Sequence, residues 1–140
     1  MHVHAWSIVQ IETNLLPGQS AVICMADSRE QLAVIKDAVN VAARLDLIFN
    51  DTTDEFLGVR PPNADDARKI LAFVNNNKRI PHLVMQCQVG VSRSLAALAA
   101  ILKISGLDNT VILANGTYNR RQYRELLMAA GVAREPEPLV

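Results

Sequence analysis

The sequence predicts a single α/β domain in which a central, mainly parallel sheet is flanked by helices. Short apolar runs alternate along the chain with longer amphipathic segments, which is the order typical of strand–helix units. The chain has 140 residues, enough to bury one core and too few to require two domains. We therefore expect one domain over residues 1–140, with its core at about 20–131 and a flexible tail at 132–140.

Three short apolar runs bounded by polar or turn residues are predicted to be buried strands. They comprise residues 20–25, 45–49 and His82–Gln86. In parallel α/β sheets, ligands bind beyond the carboxyl ends of the strands. The segments that follow these runs are therefore the places where a functional site is expected.

Four helices are predicted from capping residues and from the spacing of apolar side chains. Ser28 with Gln31, and Asn119 with Gln122, have the spacing of capping boxes, and Asn63 is a suitable N-cap. The third helix is apolar on nearly all sides, so we expect the domain to enclose it. The predicted helices span residues 28–42, 63–74, 94–104 and 119–131.

Charge and composition exclude several classes of partner. Acidic and basic residues number 14 each, which argues against nucleic acid or an anionic membrane held by bulk charge. No apolar run reaches the roughly 20 residues that span a bilayer, and residues 1–6 do not resemble a signal peptide. A cytoplasmic location is the expectation.

Neither the cysteines nor the histidines are spaced like metal ligands, so no metal or cofactor is predicted. Two cysteines are too few for a disulfide framework, and Cys24, within an apolar run, is expected to be an inert buried thiol or else a redox partner of Cys87. His2, His4 and His82 have no Cys or carboxylate beside them at ligand spacing.

The stretch MQCQVGVSRS, residues 85–94, joins the third predicted strand to the third predicted helix. A loop of this kind turns successive N–H groups toward a common point, and the helix end adds positive charge. Gly90 permits a close backbone approach, and Arg93 offers a planar fork for two phosphate oxygens. The same field favours a nucleophilic thiolate at Cys87. Phosphate or arsenate transfer through a covalent bond to sulfur suits these groups.

Residues 87–94, CQVGVSRS, resemble the signature loop of the cysteine-dependent protein tyrosine phosphatase superfamily. The Cys-x-x-Gly-x-Ser-Arg-Ser form is similar to that of small bacterial dual-specificity-like phosphatases. Residues 47–51, followed by a loop, Pro61-Pro62 and a helix, are similar to the segment that carries the general acid in that family. Tyr118-Asn119 before the last helix is similar too. The likeness covers about residues 20–131 and implies a protein tyrosine phosphatase-like fold.

The resemblance implies a role for each site residue. Cys87 would attack phosphorus and form a phosphocysteine, Asp51 would protonate the leaving oxygen and then activate water, and Ser94 would hydrogen-bond the departing thiolate. No metal is required. Phosphate, sulfate or vanadate would occupy the loop, whose implied phosphate-binding residues are Gln88, Val89, Gly90, Val91, Ser92 and Arg93.

The implied substrates are phosphorylated proteins or small phosphate monoesters. Phosphotyrosine is favoured, and phosphoserine and phosphothreonine remain open. The loop positions Gln88, Val89 and Val91 include no lysine, which disfavours a highly anionic inositol phosphate. Arg120, Arg121 and Arg124 form a basic cluster, which is either a solvated face or a surface that steers acidic phosphopeptides.

Three alternatives stay open at the level of the sequence. Asp54 is the second candidate for the general acid. Family members carry His directly before the cysteine, whereas this chain has Gln86, whose amide supplies no titratable positive charge. A catalytically weak or inactive pseudophosphatase that binds phosphorylated partners is therefore the main competing function. A sulfur or arsenate transferase is a third class, although its loops differ in position or length.

Overall fold

A computed structural model describes residues 1–132 of the chain. Within them, four strands form one sheet and five α-helices pack around it, which confirms the predicted α/β class. The strands are β1 (His2–Trp6), β2 (Ser20–Ala26), β3 (Val41–Ile48) and β4 (His82–Gln86). The helices are α1 (Ile8–Thr13), α2 (Ala64–Asn76), α3 (Arg93–Ile104), α4 (Thr110–Asn115) and α5 (Arg120–Ala129).

The sheet has the order β1-β4-β2-β3, and all three strand pairings are parallel. Every residue of the central strand β2 is buried, as expected for a parallel sheet covered on both faces. Because parallel strands end at the same edge, Asp27, Phe49 and Cys87 directly follow β2, β3 and β4 at that edge. This edge is the place where the sequence predicted a site.

Two apolar clusters lie on opposite faces of the sheet. The larger one is built from β-strand residues together with α2, α3 and α5, and it includes Cys87. The smaller one includes Ile11 of α1 and Ala33 of the β2–β3 connection, and it contains Cys24. The alternation of side chains along β2 therefore places Cys24 on the face opposite the signature-loop cysteine.

The helix predicted over residues 28–42 is wrong. Ser28 makes no side-chain capping hydrogen bond, and Val39, assigned to the apolar face, is 88% exposed. The Asp37 carboxylate accepts a hydrogen bond from Leu16 N at 3.0 Å, a tertiary contact that competes with helical geometry. As a result β3 begins before the predicted residue 45, and the connection contains two short 3-10 helices, Arg29–Gln31 and Ala38–Asn40.

The remaining predicted elements are confirmed, with caps where the sequence placed them. Asn63 accepts from Asp66 N at the start of α2, and the Asp66 carboxylate accepts from Asn63 N in return. Asn119 accepts from Gln122 N at the start of α5. Helix α3 is largely buried, as its apolar composition predicted.

Three elements were not anticipated, namely β1, α1 and α4. Ser7 and Gln10 form a reciprocal capping box at the start of α1, a signal that the sequence carries and that could have identified this helix. Of the three, β1 and α1 contact the predicted site directly, through Trp6 O and Ile8 N.

The predicted flexible tail falls mostly on residues 133–140, outside the described residues. Its first residue, Val132, donates its N–H to Leu127 O at 3.0 Å and packs partly against the larger cluster. Across residues 1–132, no helix combines the length and apolar character needed to cross a membrane.

Candidate active site

Two backbone N–H groups and one hydroxyl converge on the sulfur of Cys87. Gly90 N and Ser94 N donate to Sγ at 3.3 and 3.4 Å, and the Ser94 hydroxyl lies 2.9 Å from it. The side chain is 2% exposed and stands where β4 ends. The sulfur of the predicted nucleophile is thus surrounded by polar groups at the start of the signature loop. Ser94 therefore lies where its predicted role requires it.

Gly90 is the point at which the signature loop, residues 87–94, packs on the start of α1. Its φ is +83°, and a Cβ at this position would lie 2.7 Å from Ser7 N and 2.9 Å from Trp6 C. The two segments are also joined by hydrogen bonds from Cys87 N to Trp6 O at 3.2 Å and from Ile8 N to Gln88 O at 3.1 Å. Glycine is required here both by backbone conformation and by space.

The guanidinium of Arg93 is held at the carboxyl edge of the sheet. Its Nη1 donates to Asp27 Oδ1 at 2.8 Å and to Phe49 O at 2.9 Å, so it joins the ends of β2 and β3. The residue is 4% exposed, and within residues 1–132 its Nε is buried without a hydrogen-bond partner. A buried donor left unpaired costs about 1–3 kcal/mol, which an oxyanion accepting from Nε would offset.

Asp51 lies beside the signature loop on the β3–α2 connection, residues 49–63, which we term the acid loop. Its Oδ1 accepts hydrogen bonds from Ser92 Oγ at 2.7 Å and from Asn119 Nδ2 at 2.9 Å. The fallback acid Asp54 is exposed, and its hydrogen bonds are with Thr52 on the same loop. The structure therefore brings Asp51, rather than Asp54, to the signature loop.

An open depression of about 440 Å³ adjoins these groups. It is lined by residues of the acid loop, the signature loop and the start of α5: Asp51, Thr52, Thr53, Ser92, Tyr118, Asn119 and Arg120. Val89 and Val91 of the signature loop are 68% and 44% exposed. A phosphate ester approaching this loop therefore meets apolar and neutral side chains alongside the charged ones.

The phosphate-binding roles of the signature-loop residues stay predictions, and the structure shows where they lie. Gln88, Val89 and Val91 are exposed on the connection between β4 and α3, and Gly90 and Ser92 are partly buried. Arg93 is the first residue of α3.

Gln86, which replaces the histidine of the resembled family, is 2% exposed at the end of β4. Its Nε2 donates to Cys87 O at 2.9 Å, while its Oε1 is buried and has no partner within residues 1–132. The amide therefore braces the backbone at Cys87, the predicted nucleophile, but adds no positive charge.

Two residues of the site were missed as such by sequence reasoning. Asp27 binds Arg93, and its place directly after the predicted strand of residues 20–25 was the signal that could have identified it. Asn119 had been assigned only a capping role, yet its Nδ2 binds Asp51 Oδ1 and also Thr52 O at 3.1 Å. Both contacts join residues distant in sequence, so no local pattern reveals them.

The other candidate residues lie away from the nucleophile. Burial raises the pKa of Cys24 to about 12, in keeping with an inert thiol on the opposite face. His4 Nε2 and His82 Nδ1 are 3.0 Å apart, and within residues 1–132 no three His, Cys, Asp or Glu side chains are grouped so as to hold a metal ion.

The predicted basic cluster is used within the protein. Arg120 lies over the Tyr118 ring, 5.2 Å from its centroid. Arg121 binds the acid loop through Pro62 O at 2.9 Å, Thr53 O at 3.2 Å and Glu55 Oε1 at 3.0 Å. Arg121 is therefore part of the structure of the site rather than a solvated charge.

No family model and no curated protein matches the sequence, whereas solved structures do match the fold. The chain is similar to Tk-PTP in its active form, with a TM-score of 0.62, 15% identity, and coverage of 94% of this chain and 92% of that one. It is similar to the human tyrosine phosphatase-like serine/threonine/tyrosine-interacting protein, with a TM-score of 0.59, 15% identity, and coverage of 92% and 91%. A third similar structure is PTPMT1 in complex with PI(5)P, with a TM-score of 0.59, 16% identity, and coverage of 93% and 90%. Likeness at these identities establishes a shared fold.

Proposed function

This chain has the fold of the cysteine-dependent protein tyrosine phosphatase superfamily, and from that premise we propose that it hydrolyses phosphate monoesters through a phosphocysteine intermediate. Phosphotyrosine is the favoured substrate class, with phosphoserine and phosphothreonine as further candidates. The observation that carries the proposal is the convergence on Cys87 Sγ of the Gly90 and Ser94 N–H groups and the Ser94 hydroxyl.

In the first step, the Cys87 thiolate forms a bond to phosphorus as the bond from phosphorus to the leaving oxygen breaks. Arg93, whose buried Nε has no hydrogen-bond partner among residues 1–132, and the N–H groups of the signature loop bind the phosphoryl oxygens, on which charge develops. Asp51 passes a proton to the leaving oxygen. Both hydrogen bonds to its carboxyl group fall on Oδ1, so Oδ2 is the oxygen we expect to carry that proton.

In the second step, the Asp51 carboxylate removes a proton from water. The water oxygen bonds to phosphorus while the sulfur–phosphorus bond breaks, which releases inorganic phosphate and regenerates both the thiolate and the protonated acid. The Ser94 hydroxyl, 2.9 Å from Sγ, donates to the departing sulfur. No redox partner or metal enters this sequence of bond changes.

The preference for an aryl phosphate rests on the surface around the loop. Val89 and Val91 are exposed beside the site and offer apolar contact to an aromatic ring. The structure of PTPMT1 was solved with a phosphoinositide. In this chain Gln88, Val89 and Val91 of the signature loop provide no positive charge to neutralise additional phosphate groups on a ligand.

A chromogenic aryl phosphate tests the proposal. We expect wild-type protein to release the aryl alcohol, vanadate to inhibit the release, and Cys87→Ser to abolish it, because a hydroxyl is far harder to ionise than a thiol. Arg124→Gln serves as a control for the effect of substitution and purification, because Arg124 is not among the residues that contact Cys87 Sγ. Turnover that persists in Cys87→Ser would exclude Cys87 as nucleophile.

A binding module that captures phosphorylated partners without turnover is the second candidate. It is favoured by Gln86, which stands where the resembled family has a histidine that can carry positive charge, and whose buried Oε1 has no partner in the described part of the chain. One protein of similar fold is named an interacting protein. Calorimetric titration with a phosphotyrosine peptide separates the two functions. Tight binding of the peptide by a wild-type protein that releases no phosphate identifies the binding module.

A further inference from the structure

The acid loop is held against α5 by one side chain that the mechanism above does not use, that of Arg121. Three of its nitrogens donate to three acceptors: Nε to Pro62 O at 2.9 Å, Nη1 to Thr53 O at 3.2 Å, and Nη2 to Glu55 Oε1 at 3.0 Å. Thr53 is two residues from Asp51, and Pro62 lies near the far end of the loop. The guanidinium thus ties both limbs of the loop to one helix.

The position of Arg121 in its own helix is electrostatically unfavourable. It lies in the first turn of α5, where the helix dipole presents positive charge, and that turn contains no acidic residue. A cation at this end is disfavoured. The contacts with the acid loop therefore have to outweigh the interaction with the dipole, and they explain why a guanidinium is found there.

The tip of the acid loop has little apolar packing to fix its position. Phe56 is 58% exposed and Leu57 fully exposed. A loop with few buried apolar contacts is held by its polar contacts, and its conformation is correspondingly easy to perturb. Arg60, which binds both oxygens of the Asp66 carboxylate at 2.8 and 3.0 Å, holds the carboxyl end of the loop to α2. Arg121 provides the separate attachment to α5.

The start of α5 also contacts the catalytic carboxylate. Asn119 donates from Nδ2 to Asp51 Oδ1 and to Thr52 O, while its Oδ1 caps the helix by accepting from Gln122 N. Asn119 thus links the start of α5 to Asp51, and Arg121 adds contacts with other parts of the same loop.

We propose that Arg121 is a positioning residue that holds the acid loop in the conformation in which Asp51 can donate a proton to the leaving group. This inference rests on the proposed phosphatase function. Two backbone carbonyls and one carboxylate at separate positions require the planar, multidentate guanidinium, so a lysine, with its single ammonium group, cannot replace it.

Leaving-group dependence distinguishes positioning of the acid from general stability. Arg121→Gln and Arg121→Lys are expected to lower kcat/KM about 10-fold or more on phenyl phosphate, since a misplaced general acid loses part of a contribution of about 10²–10⁴-fold. On dinitrophenyl phosphate, whose leaving group needs no proton, kcat/KM is expected to change less than about 3-fold. The ratio kcat/KM is compared because it reports formation of the phosphocysteine, whereas kcat also contains the second step, in which Asp51 acts on both substrates alike. Arg124→Gln, which removes the same charge from the same helix, is the matched control.

A double variant provides a second, independent measure. If Arg121 acts through Asp51, Arg121→Gln should cost almost nothing further in an Asp51→Asn background, because the two losses are coupled. Equal losses of kcat/KM on the two substrates, or additive losses of kcat/KM in the double variant, would overturn the proposal and leave Arg121 with a structural role only.

Hydrogen exchange tests the attachment without turnover, so its outcome is separate from that of the proposed function. The amides of residues 51–59 should exchange faster in Arg121→Gln than in wild type or in Arg124→Gln. Wild-type protein that hydrolyses neither ester refutes the proposed function, and the exchange rates then decide the attachment. Unchanged exchange rates of residues 51–59 in Arg121→Gln would overturn the proposal that Arg121 holds the acid loop.

Discussion

Substitution of Gly90 by alanine tests how the signature loop is held in place. A Cβ there would lie 2.7 Å from Ser7 N and 2.9 Å from Trp6 C, at a residue whose φ is +83°. Both neighbours are backbone atoms, which cannot rotate aside as the end of a side chain can. The loop and the start of α1 would therefore have to move apart.

The expected cost has two parts. The left-handed conformation costs an alanine about 1–2 kcal/mol, and forcing an atom into an occupied space adds about 1–3 kcal/mol. We therefore expect Gly90→Ala to lower the free energy of unfolding by about 2–5 kcal/mol. Gly106→Ala is the matched control, because Gly106 has a φ of +75° but a Cβ there would have no atom of residues 1–132 within 4 Å apart from its chain neighbours. It should lose only the first part.

Urea unfolding of the two variants measures the difference, and turnover of an aryl phosphate adds a functional reading. Gly90 N donates to Cys87 Sγ, so displacement of the loop should lower activity in Gly90→Ala, at temperatures where it remains folded, and leave Gly106→Ala near wild type. Equal losses of stability in the two variants would refute the packing argument.

Four further predictions concern the predicted acid Asp51, the guanidinium of Arg93, the amide of Gln86 and the partly buried imidazole of His4. Asp51→Asn should slow hydrolysis of phenyl phosphate by about 10²-fold or more, and a larger loss in Asp54→Asn would transfer the role of the acid. Arg93→Lys should lower kcat/KM by about 10²–10³-fold because a point charge lacks the fork, and near-normal kinetics would contradict the phosphate cradle. Gln86→His should move the acid limb of the kcat/KM profile to lower pH by adding positive charge beside the thiolate, and an unmoved limb would mean that the loop donors suffice. Burial, together with neighbouring imidazoles, lowers the pKa of His4 from 6.5, so the folded state binds this proton less readily than the unfolded chain and stability falls as pH drops below that value. His4→Gln should reduce the acid-side decline seen in urea unfolding, and an identical decline would contradict this linkage.

Features encoded by neighbouring residues were predictable from the sequence. The signature loop, β4 and α3 form one continuous stretch, and its residue types were sufficient to predict a strand, a loop and an enclosed helix in that order. The roles of nucleophile and oxyanion cradle stay predictions. Asn63 and Asn119 cap the helices they were expected to cap, because a cap is satisfied by the next three residues. Asp51 was identified through a resemblance, and its contact with Ser92 could not be derived from spacing.

Features set by contacts across the fold were not predictable in this way. The apolar residues between 28 and 42 had helical spacing, but the Asp37 contact with Leu16 N and the pairing of β3 with β2 override that local preference. Asp27 and Arg121 act on partners far away in sequence, and only the parallel order of the strands and the docking of α5 bring them together.

The pairing of β1 with β4 has a consequence for the order in which the protein matures. Cys87 N donates to Trp6 O, and Gly90 packs on Ser7. The signature loop therefore reaches its final position only after β4 has paired with β1. Such distant pairings form after local ones during folding. The rate at which Cys87 reacts with an alkylating reagent during refolding would then report when β1 has paired with β4.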